Sequence, residues 1–169
     1  YISYPPLRPF VGGIFIALSV YLIGNTKYIG LGVPTIVASF SEVQMWYDPL
    51  MKILLTTFTI GVGFKGGEVT PLFFVGATLG SALSAILPLH VSILAGLGFV
   101  AVFAGATNTP IACTLMGIEL FGADAAVYIG IACVTAYMFS GHTGIYTSQL
   151  IGSPKHIVFW KSKKGRTLK

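Results

Sequence analysis

The stretch "GFKGGEVTPLFF", Gly63 to Phe74, gathers three glycines, a lysine and a glutamate in a chain that otherwise avoids charge. Gly66 and Gly67 allow a sharp backbone turn and leave room for close approach. Thr70 and Pro71 then start a helix whose first amides have no partner within it. Those amides, with the positive end of the helix dipole, make a seat for an anion. The amides of Glu68 and Val69 and the hydroxyl of Thr70 supply its donors. Each donor counts for more where water is excluded and the local dielectric is low. The surroundings of this stretch therefore decide how it is read.

Of the 169 residues, 54% are hydrophobic and 9% charged, and the mean hydropathy is +0.84. A soluble domain carries about a quarter charged residues, so there is too little polar surface here to cover a globule. Charge is nearly absent from Phe10 to Gly24, Val69 to Leu89, Val91 to Ile118 and Ala125 to Phe139. Apolar runs near or above about 18 residues read as membrane-spanning helices, and shorter ones as partial spans. The expected class is an all-α integral membrane protein.

Lysine and arginine number 10 against 5 acids, a formal charge of +5. Lys155, Lys161, Lys163, Lys164, Arg166 and Lys169 crowd the last segment, "SPKHIVFWKSKKGRTLK". The positive-inside rule places such a segment in the cytoplasm, and Trp160 beside it suits the membrane interface. Nucleic acid is the rival partner for a basic cluster, but a short tail behind a hydrophobic domain argues against it. The expected division is a transmembrane domain, 1–154, and a basic cytoplasmic tail, 155–169. No secretory signal pattern opens the chain. It starts at Tyr1 without an initiator methionine, as a piece of a longer protein would.

Turn and cap signals divide the chain into short helices. Prolines precede the run Phe10 to Ile23, and "GNTKYIGLG" ends it. Pro34 lies near the first turn of "VPTIVASF". Asp48 is the expected N-cap of the next helix, with Pro49 at its first position. Further helices are expected from Val91 to Ala106, after "NTP" at Asn108 to Pro110, from Ala123 to Ser140 with Asp124 in the first turn, and from Gly144 to Leu150. Most are shorter than the roughly 20 residues that a span requires. Discontinuous helices that end at membrane depth belong to transporter and channel sites. Gly76, Gly80 and Ser84 form a small-residue face for close helix packing.

A carboxylate at membrane depth is a functional candidate by default. From the residues alone Glu68 has two readings. It is functional, or it caps a helix, pairs with Lys65 or lies in a wet vestibule. Lys65 draws anions into a vestibule or reaches to the interface. Cys113 and Cys133 read as small core residues, and Tyr128 and Tyr137 as packing residues. His90, His142 and His156 share no metal-ligand spacing, so neither a metal nor a cofactor is expected. A membrane enzyme with Glu68 as general base would need a nucleophile or metal cluster that the sequence lacks. "GFKGGE" is no GxxxxGK[ST] phosphate loop, and HExxH and GxSxG are absent.

"GGEVTP" resembles the GxFxP element of the CLC family of anion channels and anion/proton antiporters. "NTPIACTLMGIEL" resembles its xAPLxxxxLxxE segment, and "GHTGIYTSQL" its GxPLYxxxL segment. Order and spacing match the C-terminal half of a CLC subunit, about helices J to R. The resemblance implies a fold of broken, tilted helices forming one half of an inverted repeat. It also implies a homodimer in a bacterial inner membrane, crossing it several times. This chain departs from the common pattern at Glu68 and Val69, and "GEVTP" is similar instead to the fluoride/proton antiporter branch. That branch implies ion-binding roles for Glu68, Val69, Thr70 and Tyr146, and export of toxic fluoride in exchange for protons. A CLC chloride/proton antiporter or chloride channel is the alternative, with Glu68 incidental. The family's gating glutamate lies on a GREG-like loop of the N-terminal half; this chain has no such loop and would need that half for transport. Glu119 also matches the family pattern, where a structural role near the helix end is the simpler reading.

Overall fold

A computed structural model of the chain describes residues 6–150 and Lys155. Its helices are α1 (Leu7–Ile23), α2 (Val33–Ala38), α3 (Asp48–Gly61), α4 (Val69–Leu83), α5 (Val91–Thr107), α6 (Pro110–Phe121) and α7 (Ala126–Phe139), with a 3₁₀ turn at Ala123–Ala125 before α7. The punctuation follows from the side chains. Proline stands in the first turn of α2, α3 and α6, where its missing N–H costs nothing. Gly24, in a left-handed conformation with φ of 68°, ends α1 and returns its amide to Val20 O. The longest helices have 17 residues, or about 25 Å at 1.5 Å per residue, against a hydrocarbon core of about 30 Å. Among the described residues no helix is long and apolar enough to cross a membrane.

The antiparallel pair α4 and α5 forms the centre. A Cβ on Gly76 would overlap Gly98 O, one on Gly80 would overlap Leu94 O, and one on Gly98 would overlap Gly76 O. Only hydrogen fits at these positions, so the two backbones touch. Ser84, expected on this face, instead lies just past the end of α4 and donates to Ser81 O. The third small residue of the contact is Gly98, from the facing helix.

Two apolar clusters flank the pair. Val100, Ala104, Cys113, Ile129 and Cys133 join α5, α6 and α7. Tyr28, Ile36, Phe74 and Ala77 join the α1–α2 loop, α2 and α4. Phe99 packs against both clusters, stacked on Phe73 at 4.1 Å between centroids and edge-on to Phe121 at 5.8 Å. Both cysteines are free and buried, as core residues. Tyr128 differs from expectation: it stands exposed on α7 with Val127 and Ile131, and Ile111 and Leu115 of α6 are exposed as well.

Three local expectations change. Asp48 does not cap α3; it is the first helical residue, 1% exposed, and its carboxylate is turned inward to long-range partners. The expected helix from Ala123 to Ser140 begins as a 3₁₀ turn and ends at Phe139. No helix forms from Gly144 to Leu150, because Ile145 donates its amide to Ala106 O and Gln149 donates its side-chain amide to Thr107 O. Apart from one turn bond, Gln149 N to Tyr146 O, this segment satisfies the end of α5. Trp160, His156 and the basic residues from Lys161 onward lie outside the described residues.

Replacing Gly80 with valine should cost the fold about 1–3 kcal/mol through overpacking, read as a lower melting temperature of the detergent-solubilised subunit. Gly67→Ala, whose Cβ would meet nothing within 4 Å, should melt as wild type.

Candidate functional site

The turn "GFKGGE" delivers the chain to the start of α4. Its left-handed residue is Gly63, with φ of 97°, while a Cβ on Gly66 or Gly67 would meet open space. The sharp turn therefore lies three residues earlier than the sequence suggested, and the glycine pair leaves the approach to the helix uncluttered. α4 begins at Val69, one residue before the expected start, and Glu68 takes the N-cap position. Its carboxylate makes no capping hydrogen bond, and it is exposed. Among the described residues Glu68 and Lys65 form no ion pair. The first helical bond runs from Leu72 N to Glu68 O at 3.3 Å. The amides of Glu68, Val69 and Thr70 thus precede the ladder, and Pro71 has no N–H to add.

The register of α4 on α5 decides what else lies at this end. Gly76 meets Gly98, Gly80 meets Leu94, and the Phe73 ring lies 4.7 Å from Phe103. Running that antiparallel register back brings the start of α4 beside the end of α5. There Ile145 N bonds Ala106 O at 2.9 Å, and Gln149 Nε2 bonds Thr107 O at 2.9 Å. Tyr146 lies between these two anchors and is 43% exposed. Glu68, Val69, Thr70 and Tyr146 thus share one end of the α4–α5 pair, while Glu119 lies away on the exposed surface of α6.

Asn108 organises this end. It ends α5 in the left-handed region with φ of 58°, a conformation that asparagine tolerates better than most residues with a Cβ. Its side chain donates to His142 O and accepts from Lys155 Nζ, which also reaches Gly141 O and Ser140 Oγ. The ammonium sits 3.9 Å from the Tyr137 ring centroid. Lys155, assigned by its charge to the tail, is thus tied to the ends of α5 and α7.

A second polar group was not foreseen in the sequence. Lys27 Nζ pairs with Asp48 Oδ2 at 2.6 Å and donates to Gln44 Oε1 at 2.9 Å. Tyr28 OH donates to Asp48 Oδ1 at 2.6 Å, and Met45 N to Oδ2 at 3.1 Å. One turn along α3, Lys52 is 1% exposed and donates to Tyr28 O at 3.0 Å and Gly30 O at 2.7 Å. A cavity of about 650 Å³ adjoins it, bordered by Tyr28, Lys52, Thr56, Gly66, Gly67 and Pro71. Among the described residues no group of His, Cys, Asp and Glu is placed to hold a metal ion.

Helices that stop short, an open amide terminus at the centre and a tyrosine loop beside it match the expected fold. A family model described as voltage gated chloride channel matches residues 1–141. The chain belongs to the CLC family.

Similar proteins are found both by sequence and by fold. It is 53% identical over 161 residues to a chloride/fluoride channel protein of Pseudomonas syringae pv. tomato, a match covering 92% of this chain and 36% of that one. An uncharacterized protein of Methanocaldococcus jannaschii is 29% identical over 136 residues, covering 79% of this chain and 34% of its own length. The crystal structure of a CLC-type fluoride/proton antiporter superposes with a TM-score of 0.77 at 38% identity, over 82% of this chain and 35% of that one. The chain thus spans about a third of the length of these relatives, and within that third it has the helical CLC fold. The Pseudomonas relative is named as a channel and the superposed structure as an antiporter.

The left-handed backbone at Asn108 makes a sharp test of the Tyr146 loop. Asn108→Gly should keep the fold and lose the side-chain bonds to His142 and Lys155. Asn108→Val should cost a further 1–2 kcal/mol or so, measured as a difference in melting temperature between the two variants.

Proposed function

We propose that this CLC chain is the C-terminal half of a fluoride/proton antiporter subunit that exports toxic fluoride from the bacterial cytoplasm in exchange for protons. The observation that carries the reading is Glu68 at the N-cap of α4, exposed and without a capping bond. It stands at the end of a row of unpaired amides. A carboxylate so placed competes with an anion for the same donors. When ionised it repels the anion, and when protonated it becomes a donor itself. Exchange of an anion against a proton needs such a group. The names of the Pseudomonas relative and the superposed antiporter support fluoride as the cargo.

In this reading the amides of Glu68 and Val69, the Thr70 hydroxyl and the Tyr146 hydroxyl hold the anion. Fluoride is small and strongly hydrated, and short donors in a dry site replace its water. Gly66 and Gly67 keep the approach clear. The remaining part of the subunit supplies the gating glutamate that moves the proton. Two subunits pair as a homodimer, for which the exposed apolar residues of α6 and α7 are suited. The C-terminal segment lies in the cytoplasm.

A CLC chloride/proton antiporter or chloride channel is the second reading, favoured by the first word in the name of the Pseudomonas relative. Efflux from liposomes holding the full-length subunit separates the two. Fluoride should leave faster than chloride, and an inward proton gradient should drive it uphill. Chloride efflux exceeding fluoride efflux sinks the fluoride assignment. Glu68→Gln and Glu68→Ala should cause a severe loss of coupled transport, whereas intact transport in both favours the chloride reading. Thr70→Val, which removes one donor to a charged ligand, should weaken anion binding about tenfold or more, read by titration in detergent.

A further inference from the structure

Lys27, Asp48 and Lys52 bring two ammonium groups and one carboxylate into one corner of the fold, and their charges sum to +1. The carboxylate accepts from three donors, Lys27, Tyr28 OH and the Met45 amide. Lys52 bonds two backbone carbonyls instead, which accept hydrogen bonds but carry no net charge. Among the described residues it forms no ion pair. Its ammonium lies 5.0 Å from the centroid of the Phe74 ring, a weak partner beside a carboxylate. An ammonium has three donors, so one is left beyond the two carbonyls. A buried cation in this state is costly until a counter-charge reaches it.

Space for that counter-charge adjoins it. The cavity of about 650 Å³ beside Lys52 continues to Gly66, Gly67 and Pro71, the turn that leads into Glu68. Its other walls, Ile16, Val20, Leu55 and Thr59 among them, are uncharged, so the lysine supplies its charge. The space is large enough for a small anion with part of its hydration shell.

We propose that Lys52 makes this cavity a holding site for a small monovalent anion, fluoride or chloride, next to the amides that begin α4. The inference rests on the anion-transport reading and adds a site behind the helix terminus. A fixed positive charge raises the local anion concentration, and the net charge of this corner is +1.

The test uses the full-length subunit that contains this chain, with Lys52→Met and Lys52→Arg compared with wild type. Sodium fluoride and sodium chloride are titrated calorimetrically at constant ionic strength, and initial efflux from liposomes is measured against internal anion concentration. Lys52→Met should weaken the titration about tenfold and raise the half-saturating concentration alike, while Lys52→Arg stays within about threefold of wild type. Wild-type values in Lys52→Met overturn the site, as they would if an acid elsewhere in the subunit neutralised the lysine. Equal losses in both variants with a lowered melting temperature overturn it too, leaving the lysine as a strut for the Tyr28–Gly30 turn. Thr56→Leu narrows the cavity and keeps the charge, giving an independent check should Lys52→Met not fold. Weakened titration in Thr56→Leu is expected, and wild-type binding counts against the site. The fluoride assignment fails separately: a wild type that prefers chloride, with chloride titration still weakened by Lys52→Met, loses that assignment and keeps the site.

Discussion

Everything at the working end of this fold depends on how closely α4 approaches α5. Where Gly76, Gly80 and Gly98 replace side chains with hydrogen, the two backbones touch and their relative height is set by hard contact. Side-chain packing alone would tolerate sliding, because apolar chains in an apolar surround have many near-equal arrangements. Backbone against backbone does not slide. The start of α4 is thereby held at the level of the end of α5, and the Tyr146 segment, bonded to Ala106 and Thr107, inherits that level. The Phe73–Phe99 stack continues the contact toward the site.

The polar groups follow a common rule. In a chain this apolar, a buried charge has to be met within the fold or by an ion. Asp48 is met by Lys27, Tyr28 and the Met45 amide. Lys155 is met by the oxygens of Asn108, Ser140 and Gly141. Those three oxygens are neutral but match the three donors of its ammonium, whereas Lys52 has only two carbonyls and borders the cavity. Glu68 is left exposed. Glu68 and Lys52 both lie on the approach to the amides, Glu68 at the N-cap of α4 and Lys52 across the cavity from Gly66 and Gly67.

Much of this was legible in the sequence because it is encoded locally. Pro49, Pro71 and Pro110 mark helix starts through one missing donor each, and "GEVTP" shows an acid, a hydroxyl and a helix start within a few residues. What was not legible depends on distant partners. A carboxylate at Asp48 looks the same whether it caps its own helix or reaches back to Lys27 and Tyr28, some 20 residues upstream. Lys52 sits in an apolar run where nothing local says whether it faces outward or inward. The residues 144–150 look helical in isolation, but the carbonyls at the end of α5 claim their donors. Gly66 and Gly67 drew the turn assignment because they adjoin Glu68, while the positive φ belongs to Gly63.

Pro71 has a further effect on the chemistry at the start of α4. A helix usually opens with four backbone donors that have no partner; here the fourth place is occupied by an imino acid, and Leu72 N is already bonded to Glu68 O. The backbone can therefore offer three amides, those of Glu68, Val69 and Thr70. A monatomic anion in water keeps more neighbours than three, so once dehydrated its coordination shell at this terminus cannot be closed by main chain alone. Hydroxyls, retained water or groups from facing segments have to complete it, and the ion's coordination number becomes a quantity that side chains set.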